Sequence, residues 1–138
     1  RQIRRPIMTV TDDFKAPKSI LVAYDGGRMT RRGIELLASN PAMRDLSVHV
    51  IMSGKPTADS NRHLEWAQQR LLGAGFTVDS AFVPGDPEQA VTRAITEREA
   101  DLLIMGAYSH SPWRSLVLGS RTNDLLRASQ VPTITLHL

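Results

Sequence analysis

Short apolar runs alternate along the chain with longer stretches in which apolar residues recur every three or four positions. Five runs have strand character: Ser19 to Tyr24 (SILVAY), Leu46 to Met52 (LSVHVIM), Thr77 to Val83 (TVDSAFV), Leu102 to Met105 (LLIM) and Thr133 to Leu138 (TITLHL). The first and fourth are continuously apolar, as strands covered on both faces are. The third sets Val78, Ser80 and Phe82 against Asp79 and Ala81, a pattern closer to that of an edge strand.

Helical stretches lie between these runs. One begins near Thr30, carries Ile34, Leu36 and Leu37, and stops before Asn40 and Pro41. Ser60 is placed to cap a second through Leu72, with Leu64, Ala67 and Leu71 on one face and Gly73 and Gly75 closing it. Asp86 before Pro87 is an N-cap and first-turn pair, and Val91, Ala94 and Ile95 carry that helix to about Arg98. Ser120 opens a fourth, with Leu125, Leu126 and Ala128, that ends before Pro132. Strands separated by helices of this length require crossovers and a parallel sheet. The expected fold is therefore α/β: a single doubly wound five-stranded parallel sheet, its strands in the order 3-2-1-4-5.

In such a sheet a ligand sits beyond the carboxyl ends of the strands where strand order reverses, here between the first and fourth. The residues leaving those strands are Asp25-Gly26-Gly27 and Gly106-Ala107-Tyr108-Ser109.

A chain of 138 residues with 41% apolar and 22% charged residues is one domain able to bury a core, and its apolar runs are far too short to span a membrane. The lack of Cys excludes disulfides, thiolate zinc sites and a cysteine nucleophile. The net charge of +3 lies wholly in residues 1 to 18, where Arg1, Arg4, Arg5, Lys15 and Lys18 face Asp12 and Asp13. The body from 19 to 138 is neutral, which argues against a dedicated nucleic-acid binder.

The stretch GAYSHSPWRSLVLGS, from Gly106 to Ser120, joins a glycine loop to a hydroxyl at a helix start, a sound way to hold phosphates. It is neither a Walker loop nor a dinucleotide fingerprint, and two glycines alone are equally read as turn residues. His110 is either an anion contact or a solvated loop residue. Arg114 and Arg121 are either phosphate partners or surface charge, and Trp113 is a lid or partner contact. The histidines at 49, 63, 110 and 137 have no metal-ligand spacing, and no nucleophile elbow or triad is visible.

From Ser19 to Leu138 the chain resembles the universal stress protein family. ILVAYDGG looks like that family's first strand and acidic turn, His49 to Ile51 like the end of its second strand, VPGDP at Val83 to Pro87 like the end of its third, and Gly106 to Ser120 like its nucleotide motif, G-x2-G-x9-G-[S/T]. The spelling with Tyr108, His110, Ser111, Arg114 and Thr122 is most similar to domains found as tandem pairs.

The resemblance implies an adenine-nucleotide alpha hydrolase-like fold and a stress-response protein that binds ATP or a related adenine nucleotide, with Mg²⁺, as a regulatory ligand. Any hydrolysis would be slow. It implies that Asp25, with Gly26 and Gly27, contacts the ribose side of the nucleotide, that the Val50 backbone reads the adenine edge, and that Gly106, Ser109, Gly119 and Ser120 hold ribose and phosphates. Two positions depart from the pattern. The second motif glycine is Ser109, and a hydroxyl residue after the acidic turn is replaced by Gly27. These favour the alternative, a dimerisation or interaction module whose nucleotide motif has degraded.

The resemblance also implies a cytoplasmic homodimer joined through the C-terminal strand, Thr133, Ile134, Thr135 and Leu136. Arg5 to Val10 is similar to Val131 to Leu136, so residues 1 to 18 read either as the last strand and linker of a preceding repeat or, the likeness being short, as a tail that matches by chance; in the first reading Ile7 to Val10 is expected to pair antiparallel with Thr133 to Leu136.

Overall fold

The computed structural model describes residues 7–9, 18–40, 45–106, 131 and 133–136. The expected fourth helix, and with it Ser109, His110, Trp113, Arg114, Gly119, Ser120 and Arg121, lies outside the described residues.

The elements in chain order are β1 (Ile7–Thr9), β2 (Ser19–Tyr24), α1 (Arg28–Ala38), β3 (Ser47–Ser53), α2 (Ala58–Gly73), β4 (Thr77–Val83), α3 (Pro87–Arg98), β5 (Leu102–Gly106) and β6 (Thr133–Leu136). They form one sheet in the order β1-β6-β5-β2-β3-β4. From β4 to β6 every pairing is parallel. The α/β parallel architecture is as expected, and so is the antiparallel pairing of the leader with the C-terminal strand, which adds a sixth strand to the sheet: β1 pairs with β6, Ile7 opposite Thr135 and Thr9 opposite Thr133. The backbone groups on that side of β6 are thus paired within the chain, which blunts an edge open to aggregation.

Alternation along β2 divides the core. Ile20, Val22 and Tyr24 face one way and join Ile34, Leu64 and Leu71 of α1 and α2, whereas Leu21 and Ala23 join Val91 and Ile95 of α3. Burial on both faces explains the unbroken apolar run of β2. β4 stands at the sheet edge, and its alternating, partly exposed side chains fit that position.

Three details differ from the sequence expectation. The buried stripe of α1 is Thr30, Gly33, Ile34, Leu37 and Ala38, and Leu36 is exposed. At 100° per residue, position 36 falls about 200° from position 34 and so points away from the core. Helix α2 starts earlier than Ser60, because Thr57 is its N-cap: the Thr57 hydroxyl accepts the Ser60 N–H at 3.0 Å, and the Ser60 hydroxyl accepts the Thr57 N–H at 2.8 Å. This reciprocal box puts Ser60 at the third helical position. At the other end Gly73 is still helical, and it is Gly75, at φ +99°, that reverses the chain so that the Phe76 N–H reaches the Leu71 carbonyl.

Helix α3 is capped as the sequence predicts, Asp86 accepting the Gln89 N–H at 3.1 Å with Pro87 next to it. At its end Glu99 takes the left-handed position at φ +51°.

Candidate nucleotide crevice

The strand order places β3 on one side of β2 and β5 on the other, so chain order reverses between β2 and β5. Ala23 lies opposite Met105 in the parallel register, so Asp25 and Gly106 leave neighbouring strands at the same end of the sheet. A crevice at that point is where this architecture binds ligands.

The turn after β2 is tightly determined. Asp25 Oδ1 accepts two hydrogen bonds, from the Gly27 N–H at 2.7 Å and from the Thr30 hydroxyl at 2.5 Å. Thr30 is 1% exposed and comes from the first turn of α1. The half-buried carboxylate is therefore anchored at the positive end of a helix through one of its oxygens. Gly26 sits at φ +77°, and an ideal Cβ there would lie 2.8 Å from Cγ of His63, whose ring packs on the glycine from α2. Both its backbone conformation and its neighbour exclude a side chain. Gly27, by contrast, is extended at φ −80°, and it caps α1 without a side-chain hydrogen bond. The missing hydroxyl at this position is thus a loss of a donor and not a backbone necessity.

Behind the turn, α1 and α2 are tied together. The Arg31 guanidinium lies 4.6 Å from the centroid of the Trp66 ring, and Arg70 pairs with Glu35 at 2.8 Å. Tyr24, wholly buried at the end of β2, has its phenol ionisation pushed above the ordinary range, chiefly by desolvation. His63 Nε2 stands 3.4 Å from Asp59 Oδ2, one helical turn earlier.

The structure therefore brings together Asp25, Gly26, Gly27 and Gly106 of the residues singled out by sequence. Val50 lies in the middle of β3, opposite Val22 and Ser80, with its side chain fully buried in the core. Two neighbours of the site have no role that the sequence assigns. Thr30 marks a helix start there, although a hydroxyl five residues after an acidic turn is placed to reach back to it. His63 carried no local signal, because its contact with Gly26 depends on how α2 packs. Among the described residues no group of three or more His, Asp or Glu stands together as a metal site, and no helix is long and apolar enough to cross a membrane.

Comparison with known proteins agrees with this architecture. The model of the universal stress protein family matches residues 17–137. A universal stress protein of Synechocystis sp. is 33% identical over 137 residues, covering 98% of this chain and 48% of its own length, so the chain spans about half of that relative. One from Methanocaldococcus jannaschii is 25% identical over 125 residues, 88% of this chain and 77% of that protein. Among solved structures, a universal stress protein in complex with cAMP superposes with a TM-score of 0.68 at 25% identity, covering 89% of this chain and 98% of the other. With its fold, its acidic turn and its matched length in agreement, the chain belongs to the universal stress protein family.

Proposed function

We propose that this protein binds an adenine nucleotide in the crevice between β2 and β5 and uses it as a regulatory ligand in a stress response. The observation that carries this reading is the fixed carboxylate of Asp25, held by Thr30 and Gly27 at the strand-order reversal beside Gly106. A carboxylate whose orientation is set before binding accepts ribose hydroxyls at little entropic cost. The similar protein that binds cAMP supports the same ligand class.

In this reading Gly106, Ser109, His110, Arg114, Gly119 and Ser120 supply the ribose and phosphate contacts. ATP is the proposed ligand. Mg²⁺ would arrive on its phosphates, and among the described residues no group of three or more His, Asp or Glu stands together to hold it. The protein is read as cytoplasmic, and as a homodimer through Thr133–Leu136 once β1 is released from β6.

The test is thermal unfolding with ATP, AMP, cAMP and GTP. A ligand at 100 times its dissociation constant stabilises by about 2.7 kcal/mol, or roughly 8 °C for a domain of this size. Adenine nucleotides are expected to raise the transition and GTP to leave it unchanged. Equal shifts with GTP, or none with any of the four, would count against an adenine site.

A further inference from the structure

Val48 and Val50 of β3 belong to the core under α1 and α2, so His49 between them faces the α3 side of the sheet, with Ile51. There it lines a cleft of about 420 Å³ with Ala81 and Val83 of β4 and Arg93 and Arg98 of α3, a volume typical of small-molecule sites. The cleft lies over β3 and β4, on the opposite face from α1 and α2, and includes neither Asp25 nor Gly106.

Two of the lining residues, His49 and Arg98, are joined through Asp79, which does not itself line the cleft. His49 Nδ1 is 2.9 Å from Asp79 Oδ1, and Arg98 Nη1 is 2.6 Å from Asp79 Oδ2. A carboxylate paired with a guanidinium is an acceptor only, so it assigns the imidazole proton to Nδ1. The other ring nitrogen, Nε2, then presents a lone pair. Among the described residues no group donates to it, and it keeps some contact with solvent although His49 as a whole is only 7% exposed. Arg93, on the exposed row of α3, makes no ion pair among the described residues. Asp86 and Glu97 also line the cleft, the first with its carboxylate on the Gln89 N–H at 3.1 Å.

We propose that this cleft is a second ligand site, separate from the nucleotide crevice, for a small oxyanion that carries its own hydroxyl. The ligand's O–H donates to His49 Nε2, and its oxyanion accepts from Arg93. Phosphate-type and hydroxycarboxylate ligands share this chemistry.

The test follows the His49 ring resonances by NMR at about pH 8. Inorganic phosphate, which keeps one proton there, is titrated against sulfate, which has none. Lactate against acetate makes the same comparison for a carboxylate ligand and tells which source the cleft prefers. The expected result is saturable movement of His49 with phosphate or lactate, at least about tenfold tighter than with its proton-free counterpart. Arg93→Gln, a surface change that spares the fold, is expected to weaken it about tenfold, and Asp25→Ala to leave it unaltered. Asp79→Asn, whose amide would donate to Nδ1 while Arg98 holds its carbonyl, is expected to move the proton to Nε2 and abolish the preference over sulfate. Equal binding of both members of each pair to the wild-type protein, or a motionless His49 in all four titrations, would overturn the proposal.

Discussion

The Thr30 hydroxyl donates, at 2.5 Å, to the same oxygen of Asp25 that accepts the Gly27 N–H at 2.7 Å. A buried side chain of α1 thus sets the orientation of the acidic group at the mouth of the crevice. Thr30→Val keeps shape and removes the donor. It is expected to destabilise the fold by about 1 kcal/mol and to weaken nucleotide binding several-fold, while Thr30→Ser restores binding. Chemical denaturation and nucleotide titration of the two variants check this. A loss of stability with unaltered affinity would mean that Thr30 holds the turn without serving the ligand.

Gly26 is constrained twice, by φ +77° and by the His63 ring 2.8 Å from where a Cβ would stand. Gly26→Ala is expected to cost about 2 kcal/mol or more, from left-handed strain plus the collision. Pairing it with His63→Ala removes the collision but not the strain. The double variant is therefore expected to be more stable than the sum of the single changes implies, by about 1 kcal/mol. Strict additivity in a urea-denaturation cycle would show that His63 yields freely.

Glu99 occupies a left-handed position at φ +51°, exposed, just past the last turn of α3. A side chain there is strained, and a negative charge at a helix C-terminus is unfavourable. Glu99→Gly relieves both effects and is expected to stabilise the protein by about 1 kcal/mol, visible as a higher denaturation midpoint. Glu99→Gln, which relieves only the charge, is expected to gain a few tenths of that.

β1 covers β6 in an antiparallel register running from Ile7 opposite Thr135 to Thr9 opposite Thr133. A variant lacking residues 1–10 leaves that edge of TITL bare and is expected to self-associate at concentrations where the full chain does not. Sedimentation velocity distinguishes the two. Identical behaviour of both forms would mean that the β6 edge is not a source of association.

Much of this architecture is legible locally. The unbroken apolar run from Ile20 to Tyr24 marks a central strand, the alternation at Val78 to Phe82 marks an edge, and Asp86 with Pro87 marks a helix start, because each depends on the residue's own periodicity or capping chemistry. The acidic turn at Asp25 is legible for the same reason. What escapes sequence is what packing decides. Ser60 is a plausible cap until Thr57, three residues earlier, is seen to form the reciprocal pair. Leu36 fits a helix yet faces solvent. His63 meets Gly26 only because α2 packs over the turn, and His49, Asp79 and Arg98 come together from three elements. Contacts of that kind have no periodic trace in the chain.

In the proposed function Asp25 anchors an adenine nucleotide. Isothermal titration of the protein with ATP and Mg²⁺, beside Asp25→Ala and Gly119→Val, probes that anchor. Saturable heat with a dissociation constant in the micromolar range, lost in both variants while each still unfolds cooperatively, is the expected result. No heat up to about millimolar ATP, or unaltered affinity in Asp25→Ala, would contradict it and leave partner docking as the function of this domain.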